Sequence, residues 1–297
     1  MKFKLYLAFF CVAFFWGTTF LAIRIGVETI PPFLLAGVRN LISGTLILGY
    51  LIYKKQVEPI SGHQFLRALL LSILMIVLAN GLTTYAEKYI TSGLASLLST
   101  LSPFFVLLLS LLLGYEKISF KTVAGILLGM TGIFLIYQNS LADLLKPDYR
   151  TGIFAVITAV LMWAIGTLIT KKGSVNSLSM LMNVGLQMCI AGIILTLIQY
   201  SITPNISYTT WSSRSIFAMI YLAVFGSVVG YVAFSYLISQ LPSTKVTVLS
   251  YVNVVVALFL GWLVLDEVIT PQIIVAASLI ISGVVIVTFK KQNKDKE

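Results

Sequence analysis

Residues 97–119 read LLSTLSPFFVLLLSLLLGYEKIS, and residues 248–270 read VLSYVNVVVALFLGWLVLDEVIT, the same pattern in altered form. Laying one on the other sets an offset of 151 residues, which also superposes Tyr85 on Tyr236, Ser92 on Ser243, Ser99 on Ser250, Glu116 on Glu267 and Gly132 on Gly283. Near the start of each half the offset is 147, pairing Trp16 with Trp163, Arg24 with Lys171 and Gly26 with Gly173, so a net insertion of four residues separates the blocks. The chain thus runs one programme of five hydrophobic segments twice. An odd number of crossings per copy turns the second copy upside down in a membrane. Inverted repeats are an architecture of alternating-access transporters, with the solute path at the repeat interface.

Composition places the chain in a membrane. Hydrophobic residues make up 59% of the 297 and charged residues 10%, with a mean hydropathy of +1.00, unlike any water-soluble domain of this length. About ten spans are expected, near 5–23, 33–53, 66–86, 92–115, 120–137, 152–170, 178–199, 215–237, 244–265 and 272–289. Each approaches the ~20 apolar residues that cross a ~30 Å hydrocarbon core. The fold class expected is an all-α membrane protein of two inverted five-helix repeats: 1–140, a linker at 141–150, and 151–297 with a basic tail.

The formal charge of +10 is distributed as a topology signal rather than a nucleic-acid footprint. With the N-terminus inside, cytoplasmic segments hold fourteen Lys and Arg residues against five on the other side and helix ends, with Arg39 inside a span. That bias puts both termini in the cytoplasm of an integral multi-pass protein, expected in a bacterial inner membrane. The first apolar run continues through Phe14, Phe15 and Trp16 without a small-residue cleavage site, so it reads as a retained helix. Cys11 and Cys189 fall inside apolar runs, and His63 is the lone histidine, in a connector. No metal site, cofactor or disulfide framework is expected from them.

Polar residues inside spans are costly and point to function. Trp16 with Thr19, and Trp163 with Thr167, put a large aromatic beside hydroxyls at matched positions. Such a ring stacks on flat or cationic solutes and donates one hydrogen bond, which suits a pocket wall; the bland reading is a packing or lipid-facing aromatic. Asn80, Thr84 and Tyr85 in one half, with Tyr231 and Tyr236 in the other, offer a polar path or simply hydrogen bonds between helices. Ser99 belongs to a serine stripe, matched by Ser250 with Asn253 nearby, and Pro103 removes a donor and bends its helix as a hinge. Arg39 is expected either to pair with Glu87 or to bind a substrate carboxylate, the pair being favoured. Glu116 and Glu267 read as structural carboxylates at matched helix ends. The small residues Gly125, Gly129, Gly132, Ala276, Ala277 and Gly283 suit tight helix packing or a homodimer face.

At these residues the chain resembles the drug/metabolite transporter superfamily, specifically bacterial permeases with two EamA-type repeats. The resemblance rests on Trp16-Gly17, Arg39, the S-x-L-x-P segment ending at Pro103 and the L-G-x-E element ending at Glu116, with Trp163 and Glu267 in the second copy. Val254 stands where the second repeat usually has Pro, so the resemblance does not extend to a Pro-kinked hinge in both halves; Asp266 replaces the usual Gly before Glu267. The family implies a ten-helix exporter or permease for amino acids, related metabolites or drugs, with a central cavity and no ATPase.

The leading expectation is therefore a secondary transporter of small organic solutes, partnered by its substrate and the bilayer. A non-transporting receptor or scaffold is the alternative. A membrane enzyme fits less well: no catalytic residues are expected, since no metal-ligand motif, paired intramembrane carboxylates or Ser/His/Asp set occurs. No phosphate-binding G-x-x-x-x-G-K-[ST] loop exists, which argues against an ATP-driven pump.

Overall fold

The computed structural model describes residues 2–114, 119–137, 150–172, 178–256 and 271–288. Glu116 and Glu267 lie outside the described residues, as do 141–149 of the expected linker. Among the described residues the regular structure is helical throughout. Seven helices are long and apolar enough to cross a membrane: α1 (Lys2–Gly26), α2 (Pro32–Tyr53), α3 (Gly62–Ala86), α4 (Ser92–Leu112), α6 (Arg150–Lys171), α7 (Met180–Ile202) and α8 (Ser213–Gln240). Among the described residues three shorter apolar helices join them: α5 (Phe120–Tyr137), α9 (Ser243–Val256) and α10 (Pro271–Thr288).

Local chemistry sets the boundaries. Ser61 and Gln64 form a reciprocal capping box at the start of α3, and Ser212, 151 residues later, accepts from the Ser215 N–H at 3.1 Å at the start of α8. Each cap satisfies a donor that the first turn leaves free. Ser119 does the same for α5, accepting from the Thr122 N–H at 3.2 Å. Gly114 closes α4 with a φ of +62°, a left-handed conformation that costs glycine little.

Two departures from regular helix recur in both halves. The middle of α3 is wound as a π-helix over Ser72–Asn80, and the middle of α8 over Leu222–Val229; glycine follows each, at Gly81 and Gly230. In α4 the Thr100 N–H bonds to the Leu97 carbonyl at 3.0 Å, tightening the turn just before Pro103, whose ring excludes the normal bond to Ser99. In α9 the Tyr251 N–H bonds to the Val248 carbonyl, also at 3.0 Å and at the matched position. The break is therefore symmetric although Val254 replaces the second proline.

Matched helices pack on one another in opposite directions. A Cβ on Gly37 would meet the Gly192 carbonyl at 3.1 Å, and one on Gly44 the Gly185 carbonyl at 2.9 Å. As α2 advances α7 recedes, so the two are antiparallel. A Cβ on Gly125 would meet the Gly283 carbonyl at 2.8 Å and one on Gly132 the Ala276 carbonyl at 2.7 Å, which makes α5 and α10 antiparallel too. The second copy is thus inverted relative to the first. Lipid provides no hydrophobic drive between helices, so backbone approach of this kind supplies the dispersion contact. Gly125, Gly129 and Gly132 of α5 thus pack on Gly283 and Ala276 of α10 within one chain. Reciprocal contacts of α1 with α8 and of α3 with α6 close the interface between the copies.

Candidate functional site

A cavity of about 160 Å³ lies at that interface. Its polar lining comes from six helices around the interface: Thr19 of α1, Arg39 and Asn40 of α2, Asn80 and Thr83 of α3, Ser99 and Ser102 of α4, Ser227 and Tyr231 of α8, and Thr247, Ser250 and Asn253 of α9. Trp16, Trp163 and Phe234 form an aromatic wall. The two indoles meet edge to face with centroids 5.3 Å apart, and Phe234 packs 5.1 Å from Trp16 and 4.8 Å from Trp163. The indole N–H of Trp16 donates to the Gly226 carbonyl at 3.0 Å, inside the π-helical stretch of α8. A wider π turn leaves carbonyls off the regular ladder, available to such a donor.

Arg39 is the cavity's charge. It is 2% exposed, its Nη2 donates to the Asn80 side-chain oxygen, and its Nε has no partner in the protein. An unpartnered buried guanidinium donor beside a cavity is costly unless an acceptor arrives. Asn253, in the amide orientation that suits its surroundings, donates to the Leu249 and Ala13 carbonyls at 3.2 and 3.0 Å and ties α9 to α1.

A second chamber of about 190 Å³ lies on the far side of the aromatic wall, with His63, Arg67, Met75, Asn183, Gln187, Tyr231 and Phe234 among its lining. Tyr231 and Phe234 border both spaces. The Tyr231 hydroxyl donates to the Gln187 side-chain oxygen at 3.1 Å. Nearby connectors are tied down: the Ser179 N–H, just before α7, donates to Glu58 at 2.9 Å, and that bond holds the Glu58 carboxyl below its ordinary range.

Of the residues expected at the cavity, Trp16, Thr19, Asn80, Ser99, Trp163, Tyr231, Ser250 and Asn253 line it, together with Arg39. Thr84 and Thr167 are fully buried in helix contacts instead, Thr84 donating to the Asn80 carbonyl at 2.9 Å. Tyr85 stacks on Phe33, centroids 5.2 Å apart, and Tyr236 packs against the apolar core. Each follows a cavity residue, Asn80 or Tyr231, by five positions, which turns it about 140° around the helix. Pro103 is buried directly after the break in α4. The favoured pairing of Arg39 with Glu87 takes no direct form. Arg39 turns to Asn80, and neither Glu87 carboxylate oxygen has a hydrogen-bond partner in the protein. Asn40, Ser227 and Gln187 were not singled out from sequence. The signal that exposes Arg39, a polar side chain inside an apolar span, applies equally to Asn40 and Gln187.

Among the described residues no three His, Cys, Asp or Glu side chains gather as metal ligands would. The geometry offers a solute chamber with one cation, amides, hydroxyls and aromatic faces. The EamA-like transporter family profile matches residues 3–138 and again 150–289, one match per copy. The chain belongs to the EamA-like transporter family. The uncharacterized inner membrane transporter YedA of Escherichia coli (strain K12) is 33% identical over 287 residues, covering 96% of this EamA chain and 90% of YedA. The uncharacterized transporter YoaV of Bacillus subtilis (strain 168) is 26% identical, covering 96% and 97%. One crystal structure with 18% sequence identity superposes with a TM-score of 0.77, covers 97% of this chain and 98% of its own, and so shares the fold.

Proposed function

We propose that this EamA protein is a secondary transporter of small organic solutes, working by alternating access at the interface of its two repeats. The reading takes the three shorter apolar helices as spans as well, for ten crossings of a bacterial inner membrane with both termini cytoplasmic. Transporter-named relatives along nearly the whole chain support the function class. The observation that carries the solute reading is the cavity between the copies with Arg39, whose Nε has no partner in the protein, among its lining residues. A carboxylate meets a guanidinium through two parallel hydrogen bonds, and indole faces accommodate an apolar or aromatic body. The solutes favoured are carboxylate-bearing metabolites, amino acids among them. Catalysis is no part of this reading. Thermal-shift screening of purified protein identifies ligands, since anything bound only by the folded state stabilises it. Flux of the hits in proteoliposomes then tests transport: a ligand that binds in the cavity and never crosses argues for a receptor instead.

A further inference from the structure

Glu87 is a buried carboxyl that the solute path does not use. It is 0% exposed, and both side-chain oxygens lack a hydrogen-bond partner in the protein. The charged groups facing it are Arg39 from α2 and Arg24 from α1, and both are committed elsewhere. Arg39 donates to Asn80, and Arg24 donates to the backbone carbonyl of Glu87, not to its carboxyl. The flanking Lys88 is exposed, as is Arg150 at the start of α6; Tyr85 and Tyr89 bond to each other at 3.0 Å. The adjoining parts of α4 and α6 present an apolar cluster that includes Leu94, Ala95, Val156 and Val160. An ionised carboxylate stripped of water and of hydrogen bonds is strongly disfavoured, and the neutral acid avoids most of that cost.

Glu87 follows Asn80 by seven residues, two turns along the same face of α3 and about 10 Å along its axis. Arg39 therefore has two alternative partners on one helix face, and it engages Asn80 in this conformation. We propose that Glu87 is a proton-binding site, neutral in this conformation and ionised when Arg39 turns from Asn80 toward it. In that step the Glu87 O–H bond breaks, its proton passes to water, and the guanidinium balances the carboxylate left behind. Anything that holds Arg39 in the cavity favours the protonated form, so proton and carboxylate binding are linked with the same sign.

The test is infrared difference spectroscopy of the purified protein in lipid nanodiscs, titrated from mildly acidic to mildly alkaline pH, and needs no transported solute. Its outcome is thus separable from that of the transport reading. The wild type should show the carbonyl stretch of a protonated carboxyl at neutral pH. Glu87→Asp should move that band and Glu87→Gln should remove it, and Arg39→Gln should make it persist to higher pH by removing a neighbouring positive charge. Glu87→Gln mimics the neutral acid and should leave the melting temperature unchanged; if that variant fails to fold, the idea is wrong, because a neutral isostere must be tolerated. A wild-type spectrum without the band at neutral pH, or a band untouched by Glu87→Gln and Glu87→Asp, identifies Glu87 as an ionised partner of the two arginines and overturns the proposal.

Discussion

The two copies place a polar pair at the same point, and only one pair is charged. Gly37 and Gly44 of α2 correspond to Gly185 and Gly192 of α7, 148 residues later, which sets Arg39 against Gln187. Their partners correspond as well: Arg39 bonds to Asn80 on α3, and Gln187 accepts from Tyr231 on α8, 151 residues after Asn80. Inversion carries the two pairs to opposite sides of the aromatic wall, one in each chamber. The scaffold is therefore near-symmetric and the electrostatics are not. A symmetric backbone suits two alternative gate positions; the second chamber's own guanidinium, Arg67, is bonded to the Ile169 carbonyl at 2.9 Å, so the charge of the matched pair distinguishes the chambers, and only differential affinity shifts such an equilibrium.

Neutralising the unsymmetric member should do most. Arg39→Gln makes the first pair resemble the second and should cut flux of carboxylate solutes about ten- to a hundredfold, the equivalent of a charged hydrogen bond at about 1.5–3 kcal/mol. Gln187→Leu should change that flux far less. Equal losses in a proteoliposome assay would erase the distinction between the chambers.

The scaffold's symmetry rests on backbone contact, so Gly44→Leu should destabilise next most strongly. A Cβ there would meet the Cys189 backbone nitrogen at 2.7 Å. Overpacking of this kind costs about 1–3 kcal/mol, measurable as a lower melting temperature, whereas Gly49→Leu, with nothing within 4 Å of an added Cβ, should be near neutral. Similar melting temperatures would remove the argument for α2–α7 as the seam.

The break in α4 should survive Pro103→Ala, because α9 forms the matched turn at Val248–Tyr251 without a proline. The expected change is about 0.4–1 kcal/mol, arising mainly in the unfolded chain. A larger loss would mean that the two breaks have different causes. Smallest of all, the bond from Ser179 holds the Glu58 carboxyl below its usual range. A depressed folded-state value means stability present above the ordinary glutamate range and lost as pH falls from there through the lowered folded-state value. Glu58→Gln should remove a slight acid sensitivity of melting and leave stability at neutral pH little changed.

The duplication, the seven long spans among the described residues and the two tryptophans are legible in the sequence because each rests on spacing or hydropathy. Arg39 is legible because a charge in an apolar run stands out. Tyr85 and Tyr236 mislead for a physical reason: alignment pairs them correctly, yet pairing says nothing about which face a helix turns inward. The π-helical winding of α3 and α8 compounds this by shifting the phase of the residues that follow. Gln187 stayed hidden behind the offset: neither 147 nor 151 brings it onto Arg39, and 148 emerges only from the glycines that touch across α2 and α7. The partner chosen by Arg39 is a matter of packing, which no spacing records.

Sidedness tests the central claim most directly. With Cys11 and Cys189 replaced by serine, single cysteines at Thr83 in the first chamber and Asn183 in the second can be challenged with a membrane-impermeant thiol reagent on sealed vesicles of known orientation. The inverted two-chamber account predicts labelling of Thr83→Cys from the periplasmic side and of Asn183→Cys from the cytoplasmic side. Labelling of both from one side would contradict it.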